Sequence, residues 1–364
     1  MMRHLPGIIA LSLLCACAPG RDGPAIDRVA IAPDGQHLIM QYRSGKVHRL
    51  VYADLNTGSM RPIVQPANEY WRWPVLSTDG LWMAVSVCDT DRDGHAQQDT
   101  ARIDVMRLDG SERRTIVAAD GSAHGPFAFS PDGDRMVFAK GHLRESRAAI
   151  NFDLYEVHLD GRAPALVADA SFYQLSSAGY FGDRLYFTGF APARYLAAAR
   201  PPATYLPEAS QADKLRWAME TNSVLYVSER TPDALTPFVT FDNAGDSVLP
   251  WQQKLEIESV RVAAHAQRLF AVMRHHEHPQ GRTYAHYTRD VFVMQPDRSF
   301  RRLTHFNTVH FSGFDVTPDG RYLAVVPTPE RTNAFKLPAI HRIDTLSGEE
   351  KVFRPDVSSL PTDQ

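Results

Sequence analysis

Short apolar runs alternate with turns along the chain, and one arrangement of two runs around a turn occurs four times. The turn is Pro-Asp-Gly in three copies and Thr-Asp-Gly in the other. Pro fixes its own φ, Asp hydrogen-bonds back to the main chain and Gly adopts a positive φ, so this tripeptide favours a tight hairpin. We therefore predict hairpins at residues 31–40, 76–85, 129–138 and 316–326.

Two weaker copies and a second pattern complete the repeat. Residues 180–187 and 262–272 keep the two apolar runs without the Pro-Asp-Gly turn. A third apolar run follows each hairpin and ends in a turn, and a fourth run, such as 115–117, comes after it. The third runs lie at residues 52–58, 105–110, 155–161, 225–230, 291–297 and 343–348. Six hairpins and six third runs predict six units of four strands each.

These units predict an all-β fold, a six-bladed β-propeller of four-stranded antiparallel blades that spans residues 26–356. No helical periodicity separates the units, and a closed ring of blades protects sheet edges that would otherwise be exposed. The stretch between the fourth and fifth units is long, which leaves seven blades as the alternative.

The repeat resembles a known family. Ser/Thr-Pro-Asp-Gly hairpins followed by Leu-Asp-Gly strands are similar to the propeller repeats of the periplasmic TolB family, which is related to WD-type repeats. The resemblance is strongest in units one, two, three and six, and we expect no N-terminal α/β domain like that of TolB because residues 18–25 leave no room for one. The same propeller is the accessory domain of prolyl-oligopeptidase-like enzymes and the body of some polysaccharide lyases. The resemblance therefore implies a fold without fixing a function.

The N-terminus has the layout of a secretory signal peptide. Arg3 is followed by an apolar run over residues 8–14 and by small residues before Cys17. A run of this length is too short to cross a bilayer, which takes ~20 residues. The ending Leu14-Cys15-Ala16-Cys17 resembles the lipobox of bacterial lipoproteins. Cleavage by ordinary signal peptidase near Ala18 is the alternative.

The lipobox resemblance implies a domain order and an address. Residues 1–16 would be a signal peptide and 17–25 a linker lipidated at Cys17, with 357–364 as a C-terminal tail. By similarity to Gram-negative lipoproteins, Ala18 in place of Asp implies anchoring through the lipid in the outer membrane, on its periplasmic face. Acylation of Cys17 would leave Cys88 as a lone buried thiol.

The most specific motif lies between the second and third strands of unit two, where residues 89–99 read Asp-Thr-Asp-Arg-Asp-Gly-His-Ala-Gln-Gln-Asp. Acidic residues at alternate positions with a Gly bring carboxylate oxygens together, as in EF-hand-like calcium loops. An EF-hand has Glu at position twelve, whereas this loop has Asp at position eleven. A solvated acidic loop is the alternative. The expected ligands of a structural Ca²⁺ are Asp89, Asp91, Asp93, the carbonyl of His95 and Asp99.

Histidines suggest a second metal site. Residues 274–278 read Arg-His-His-Glu-His, and because neighbouring residues of an extended chain point in opposite directions, a solvated polar loop is favoured there. His124 and His310 each precede the innermost strand of their unit. Together with His276 they form an alternative metal site that resembles the one in propeller-type oligogalacturonate lyases.

Aromatic residues collect on one predicted face of the propeller. In this fold the loops that join second to third strands open on the same face as the loops between blades, and the second-to-third loops are long in every unit except the first. Such rings bind peptides or sugars, although packing between blades is the alternative for Trp71 and Trp73. The predicted partner-binding residues are Tyr70, Trp71, Trp73, Tyr195, Tyr205 and Trp217.

Charge and missing motifs narrow the function. The chain has 39 Lys and Arg against 42 Asp and Glu, so its net charge of −3 provides no field for nucleic acid. It has no Gly-x-Ser-x-Gly elbow and no phosphate-binding loop. The favoured function is a non-catalytic, lipid-anchored propeller that binds a protein or peptide on its long-loop face. The alternative is a metal-dependent lyase or hydrolase acting on a glycan.

Overall fold

The structure is a computed structural model that describes residues 24–45, 47–143, 149–172, 175–190, 223–228, 235–239, 256–277, 286–308, 310–328, 337–356 and 360. The predicted signal peptide, Cys17 and three of the predicted partner-binding aromatics lie outside this range; those aromatics are Tyr195, Tyr205 and Trp217. Within the described ranges no helix has the length and apolar composition needed to cross a membrane.

The described strands form six antiparallel sheets, each made of four strands that are consecutive in the chain. The first sheet contains β1 (Ala25–Ile31), β2 (His37–Ser44), β3 (Val47–Asp54) and β4 (Met60–Pro62). The second contains β5 (Glu69–Leu76), β6 (Trp82–Asp89), β7 (Arg102–Arg107) and β8 (Arg114–Val117), with a single 3₁₀ turn at Gln98–Thr100. The third contains β9 (Ala123–Phe129), β10 (Arg135–Leu143), β11 (Ala149–His158) and β12 (Ala165–Phe172).

The second half of the chain repeats this arrangement. The fourth sheet contains β13 (Leu175–Phe181), β14 (Arg184–Phe190), β15 (Ser223–Ser228) and β16 (Leu235–Val239). The fifth contains β17 (Glu256–Ala263), β18 (Arg268–Glu277), β19 (His286–Met294) and β20 (Phe300–Arg302). The sixth contains β21 (His310–Val316), β22 (Tyr322–Thr328), β23 (Ile340–Asp344) and β24 (Glu350–Phe353).

The Pro-Asp-Gly hairpins form as their residue types require. In the first one the Gly35 N–H donates to the Ala32 carbonyl at 2.9 Å, and Gly35 has a φ of 65°. The Asp34 carboxylate accepts the Gln36 N–H at 2.8 Å. A residue with a Cβ is strained at such a φ, so the glycine fixes where the chain reverses. The hairpins place residues 32–36, 77–81, 130–134 and 317–321 at one end of the strands, which we call the hairpin face.

Apolar packing joins every sheet to the next. The core between the first and second sheets contains Ile39, Leu50, Trp71 and Met83. Equivalent cores lie between the second and third, third and fourth, fourth and fifth, and fifth and sixth sheets. A further core joins the sixth sheet to the first through residues such as Ala324 and Val29. The sheets therefore form a closed ring with β1, β5, β9, β13, β17 and β21 innermost.

Two direct contacts between inner strands fix the ring. The Val260 N–H donates to Ser177 Oγ at 2.7 Å, which joins β17 to β13, so no further sheet lies between the fourth and fifth. The Ile31 N–H donates to the Asp315 carboxylate at 2.9 Å, which joins β1 to β21. The predictions of an all-β propeller and of four-stranded antiparallel blades are confirmed. Each of the six sheets corresponds to one repeat unit of the sequence.

We predict that Ser177→Ala lowers the free energy of unfolding by about 1–3 kcal/mol. Ser177 Oγ accepts the Val260 N–H and also pairs with Thr188 Oγ1 at 2.9 Å in a fully buried position. Its removal leaves a main-chain donor without a partner between two blades. The measurement is denaturant unfolding followed by tryptophan fluorescence.

The adjacent Ser176→Ala is the matched control. Ser176 is half-buried and makes no hydrogen bond through its side chain within the described chain, so its change should stay within about 0.5 kcal/mol. Equal losses in the two variants would show that the Ser177 contact contributes nothing specific to the ring.

Candidate functional site

The inner strands enclose an axial space, which we call the axial channel. One part is lined by Arg28, Trp73, Gly125 and Phe127, among others. A second part lies closer to the hairpin face and is also lined by Phe127. The two volumes are therefore adjacent along the axis. The first part lies toward the long-loop face, the end of the ring that carries residues 63–68, 90–101 and 118–122.

Trp73 enters the channel through a distorted strand. The register of β5 against β6 shifts between Arg72 and Val75, so one extra residue is accommodated there. Trp73 has a φ of 55° although it is bulky and precedes Pro74. Such a conformation costs of order 1–3 kcal/mol and persists only where neighbours enforce it. Strain of this kind concentrates at functional sites.

The neighbours that hold Trp73 come from three sheets. Its main-chain N–H donates to the side-chain oxygen of the buried Gln41 at 2.9 Å. The Arg72 guanidinium lies 4.0 Å from the centre of the indole ring. A Cβ on Gly125 would lie 3.0 Å from the indole carbons, so the ring rests on the bare main chain of β9. Trp73 itself remains half-buried.

The other described aromatics of the predicted binding set are not available to a partner. Trp71 is 1% exposed and packs between the first and second sheets, and its indole N–H donates to Glu69 at 2.6 Å. Tyr70 is 9% exposed and packs against Cys88. Both predictions of partner contact are wrong for these residues, because successive residues of the strand face opposite cores. Packing between blades, the alternative kept for Trp71, is what the structure shows.

The acidic loop of the second sheet brings together part of the predicted calcium set. Asp91, Asp93 and His95 each offer one ligand atom, and these atoms lie within 4.8 Å of one another. Asp91 Oδ1 accepts the N–H groups of Asp93 and His95, both at 2.9 Å. These bonds, that of His95 first, lower the pKa of the Asp91 carboxyl. Gly94 has a φ of 82°, as the turn requires.

Asp89 and Asp99 lie outside that group. Asp89 pairs with Arg102, whose Nη1 is 3.0 Å from its Oδ1. Asp99 lies on the exposed 3₁₀ turn. The carbonyl of His95, another expected ligand, accepts the Asp91 N–H at 2.9 Å. The loop therefore closes as a hydrogen-bonded turn and does not converge all five expected ligands.

The loop is also connected to the channel. Arg72, which stacks on Trp73, donates through its guanidinium to the side-chain oxygen of Gln98 on the 3₁₀ turn. The stems of the loop are held by Arg102, which pairs with Glu69 at 2.6 Å as well as with Asp89. One side chain thus contacts both the loop of residues 90–101 and the ring of Trp73.

Sequence reasoning missed the ionic network that supports this loop. Glu69 accepts from Arg113 at 2.8 Å, and Arg113 also pairs with the buried Asp104 at 2.6 Å. Burial is the largest influence on Glu69 and raises its pKa. The hydrogen bonds from Arg113 and Trp71 and the charges of Arg113 and Arg102 together outweigh it, so the net pKa is lowered. Their pairing depends on how the strands of the second sheet align, and no local pattern marks it.

The structure describes the side chains of two of the three histidines in the predicted alternative metal site. His124 is the second residue of β9, is 1% exposed, and its Nδ1 lies 2.9 Å from the Ala101 carbonyl. Desolvation by burial lowers its pKa. His310 is exposed at the start of β21. Neither belongs to a group of three potential ligands in the described chain.

Residues 274–277 differ from their prediction as a solvated loop. They form the end of β18, where His275 pairs with Thr288 and His276 with Tyr287 of β19. The reason is that the strand ladder continues past the apolar residues that the sequence pattern used to mark its end. The side chain of His276 lies outside the described residues, as does His278. Cys88 is a free, fully buried thiol, as predicted.

Comparisons with known proteins show the fold. The sequence matches no protein-family model and no curated protein. The structure is similar to TolB from Acinetobacter baumannii, with a TM-score of 0.52 and 14% identity, over 93% of this chain and 65% of that one. This chain thus spans less than two thirds of TolB's length.

Two enzymes share the fold to a similar degree. The tricorn protease matches with a TM-score of 0.55 and 14% identity, over 94% of this chain and 27% of that one. An oligogalacturonate lyase in complex with manganese matches with a TM-score of 0.53 and 12% identity, over 94% of this chain and 80% of that one. The resemblance to a TolB-like β-propeller is confirmed as a resemblance of fold.

We predict that Glu69→Gln destabilises the protein by about 1–3 kcal/mol at pH 7 and by less in acid. The folded pKa of Glu69 lies below its ordinary value of 4.5, so its contribution is present above that pH and is lost as the pH falls through the folded pKa. Denaturant unfolding at pH 7 and at pH 3.5 to 4 measures both values.

Glu349→Gln, in an exposed turn, is the control and should leave the free energy of unfolding unchanged at both pH values. A loss of the same size at both pH values would contradict an ionic role for Glu69.

Proposed function

We propose that this chain is a six-bladed, non-catalytic propeller, lipid-anchored through Cys17 to the periplasmic face of the outer membrane. It binds a protein or peptide partner at the long-loop face and the adjoining axial channel. A calcium ion in the acidic loop of the second sheet stiffens that face. The TolB-like fold and the signal-peptide and lipobox pattern of residues 1–17 support the first part of this proposal.

The observation that carries partner binding is the placement of Trp73. It is the described member of the predicted aromatic set that lines a cavity, and it does so in a main-chain conformation that neighbours must enforce. An indole held in one position contributes a large contact area to a partner at little entropic cost.

The glycan lyase or hydrolase is not favoured by the geometry. His124 is buried and oriented by the Ala101 carbonyl, and His310 lies apart from any described group of three potential ligands. The likeness to the manganese-bound lyase is one of fold, at 12% identity.

The structure brings together fewer of the expected calcium ligands than the sequence predicted. Asp91 and Asp93 supply carboxylates, while Asp89 is engaged by Arg102. Ca²⁺ takes six to eight oxygen ligands, so main-chain carbonyls and water would complete the shell. A site with so few protein ligands belongs to the weak class, with a Kd of about 0.1–1 mM. Gln98 and Arg72 connect this loop to Trp73, so stiffening the loop would fix the binding surface.

We predict that millimolar calcium raises the melting temperature of the wild-type protein by about 2 °C relative to chelator. Asp93→Asn should abolish this increment and leave the melting temperature in chelator unchanged. Asp93 is the informative position because its carboxylate makes no hydrogen bond within the described chain, whereas Asp91 also holds the turn. Differential scanning fluorimetry with calcium, magnesium or zinc makes the measurement.

Asp183→Asn, an exposed acid in the hairpin of the fourth sheet, is the matched control. Equal calcium increments in wild type and Asp93→Asn would remove the site from the proposal. A rise in melting temperature with zinc but not with calcium would indicate that the cluster binds zinc, for which the His95 imidazole is a suitable ligand.

We predict that Trp73→Ala reduces partner recovery from envelope extract at least about tenfold. Gly125→Ala should reduce it less, because the added methyl displaces the indole while leaving it present. Each variant is used as bait at equal concentration, recovered proteins are quantified by mass spectrometry, and the candidate is then tested as a purified protein.

Trp82→Ala is the control, because Trp82 lies at the start of β6 beside the hairpin face. Unchanged recovery with Trp73→Ala, from bait of confirmed native fold, would exclude the channel mouth as the binding surface.

A further inference from the structure

Three charged side chains from different blades line the axial channel. Arg28 of β1 lines the part near Trp73, and Arg261 of β17 and Asp315 of β21 line the part toward the hairpin face. Arg28 is within electrostatic range of both of the others. Asp315 is the sole acidic residue among the described residues that line the two volumes. The channel therefore holds one more positive than negative charge.

The single carboxylate is already occupied. Asp315 Oδ1 lies 3.3 Å from Arg261 Nε, and Asp315 Oδ2 accepts the Ile31 N–H at 2.9 Å. Arg28 has no ion pair and no hydrogen bond from its guanidinium to any residue that the structure describes. Arg28 is half-buried, and its guanidinium has five donors that a ligand can use.

The electrostatics agree with the geometry. Burial lowers the pKa of Arg28 to about 9, with repulsion from Arg261 adding to it and attraction to Asp315 opposing it. Arg28 is still protonated at pH 7. An anion placed between the two guanidinium groups would remove their repulsion and satisfy the donors of Arg28.

We propose that the axial channel binds a carboxylate of the partner peptide between Arg28 and Arg261. This rests on the proposed function and specifies its ligand chemistry. Guanidinium groups bind planar carboxylates through paired hydrogen bonds. Trp73 and Phe127 line the same space as Arg28, so the chain that carries the carboxylate would contact aromatic rings. The carboxylate is either the C-terminus of the peptide or an acidic side chain.

Three probe peptides distinguish these sources by isothermal titration calorimetry. The first is acetyl-Gly-Ser-Gly-Ser-Phe with a free C-terminus, the second is its C-terminal amide, and the third is acetyl-Gly-Ser-Glu-Ser-Phe-amide. We expect the first or the third to bind at least about tenfold more tightly than the second. Malonate serves as a carboxylate without a peptide.

Variants with opposite expected effects test the residues. Arg28→Gln should weaken binding of the preferred peptide at least about tenfold, whereas Asp315→Asn should strengthen it because Arg261 is released. The asparagine keeps an oxygen that can accept the Ile31 N–H, so the ring is retained. Arg162→Gln, an exposed arginine in the loop between β11 and β12, should have no effect.

The outcomes separate this site from the proposed function. Equal binding of all three peptides, or binding unchanged by Arg28→Gln and Asp315→Asn, would overturn the carboxylate site while Trp73-dependent partner recovery still stands. Binding of malonate that depends on Arg28, with no binding of any peptide, would overturn the peptide as its source. Preference for a carboxylate peptide with opposite responses of the two variants would support the proposal.

Discussion

The architecture depends on apolar packing between neighbouring sheets. Each described sheet is built from four consecutive strands, so no strand from the start of the chain completes the last sheet. The ring therefore closes without strand pairing, through apolar side chains such as Val29, Met40 and Ala324 and through the hydrogen bond from the Ile31 N–H to Asp315. Burial of apolar surface contributes roughly 25 cal/mol for each Å², and it accumulates without directional bonds. Close approach helps, because a Cβ on Gly313 would lie 3.0 Å from the Val29 nitrogen.

A rigid ring allows one residue to be held in an unfavourable conformation. Trp73 is supported by Gln41 from the first sheet, Arg72 from its own strand and Gly125 from the third sheet. Those supports are buried or belong to regular strands, so they can resist relaxation of the Trp73 main chain. The acidic loop is coupled to the same residue through Arg72 and Gln98. The candidate site thus combines a fixed interior with a more exposed loop above it.

Local signals in the sequence were sufficient to predict the repeat of four-stranded units. Pro-Asp-Gly turns and period-two apolar runs act within a few residues, and they specified the hairpins and the four-stranded units correctly. The ends of strands were harder to predict from the sequence. For example, β18 continues through polar residues to Glu277. Cross-strand hydrogen bonds hold those residues, and such bonds leave no trace in the pattern of apolar side chains.

The candidate site could be predicted only in part for a related reason. Tyr70 and Trp71 were placed with Trp73 because they are neighbours in sequence, yet alternation sends them to two cores while a bulge turns Trp73 toward the axis. The network of Glu69, Arg102 and Arg113 and the trio of Arg28, Arg261 and Asp315 are created by the fold. In the trio, Arg28 lies more than two hundred positions from both Arg261 and Asp315, and composition alone does not pair them.

Asp315 has two duties that the geometry makes inseparable. Its Oδ2 accepts the main-chain N–H of Ile31 in the first sheet, and its Oδ1 pairs with the Arg261 guanidinium inside the channel. A ligand that displaces Arg261 would change the electrostatic surroundings of the carboxylate that joins the first and last sheets. The contact between the first and last sheets of the ring therefore shares one carboxylate with the charged lining of the channel.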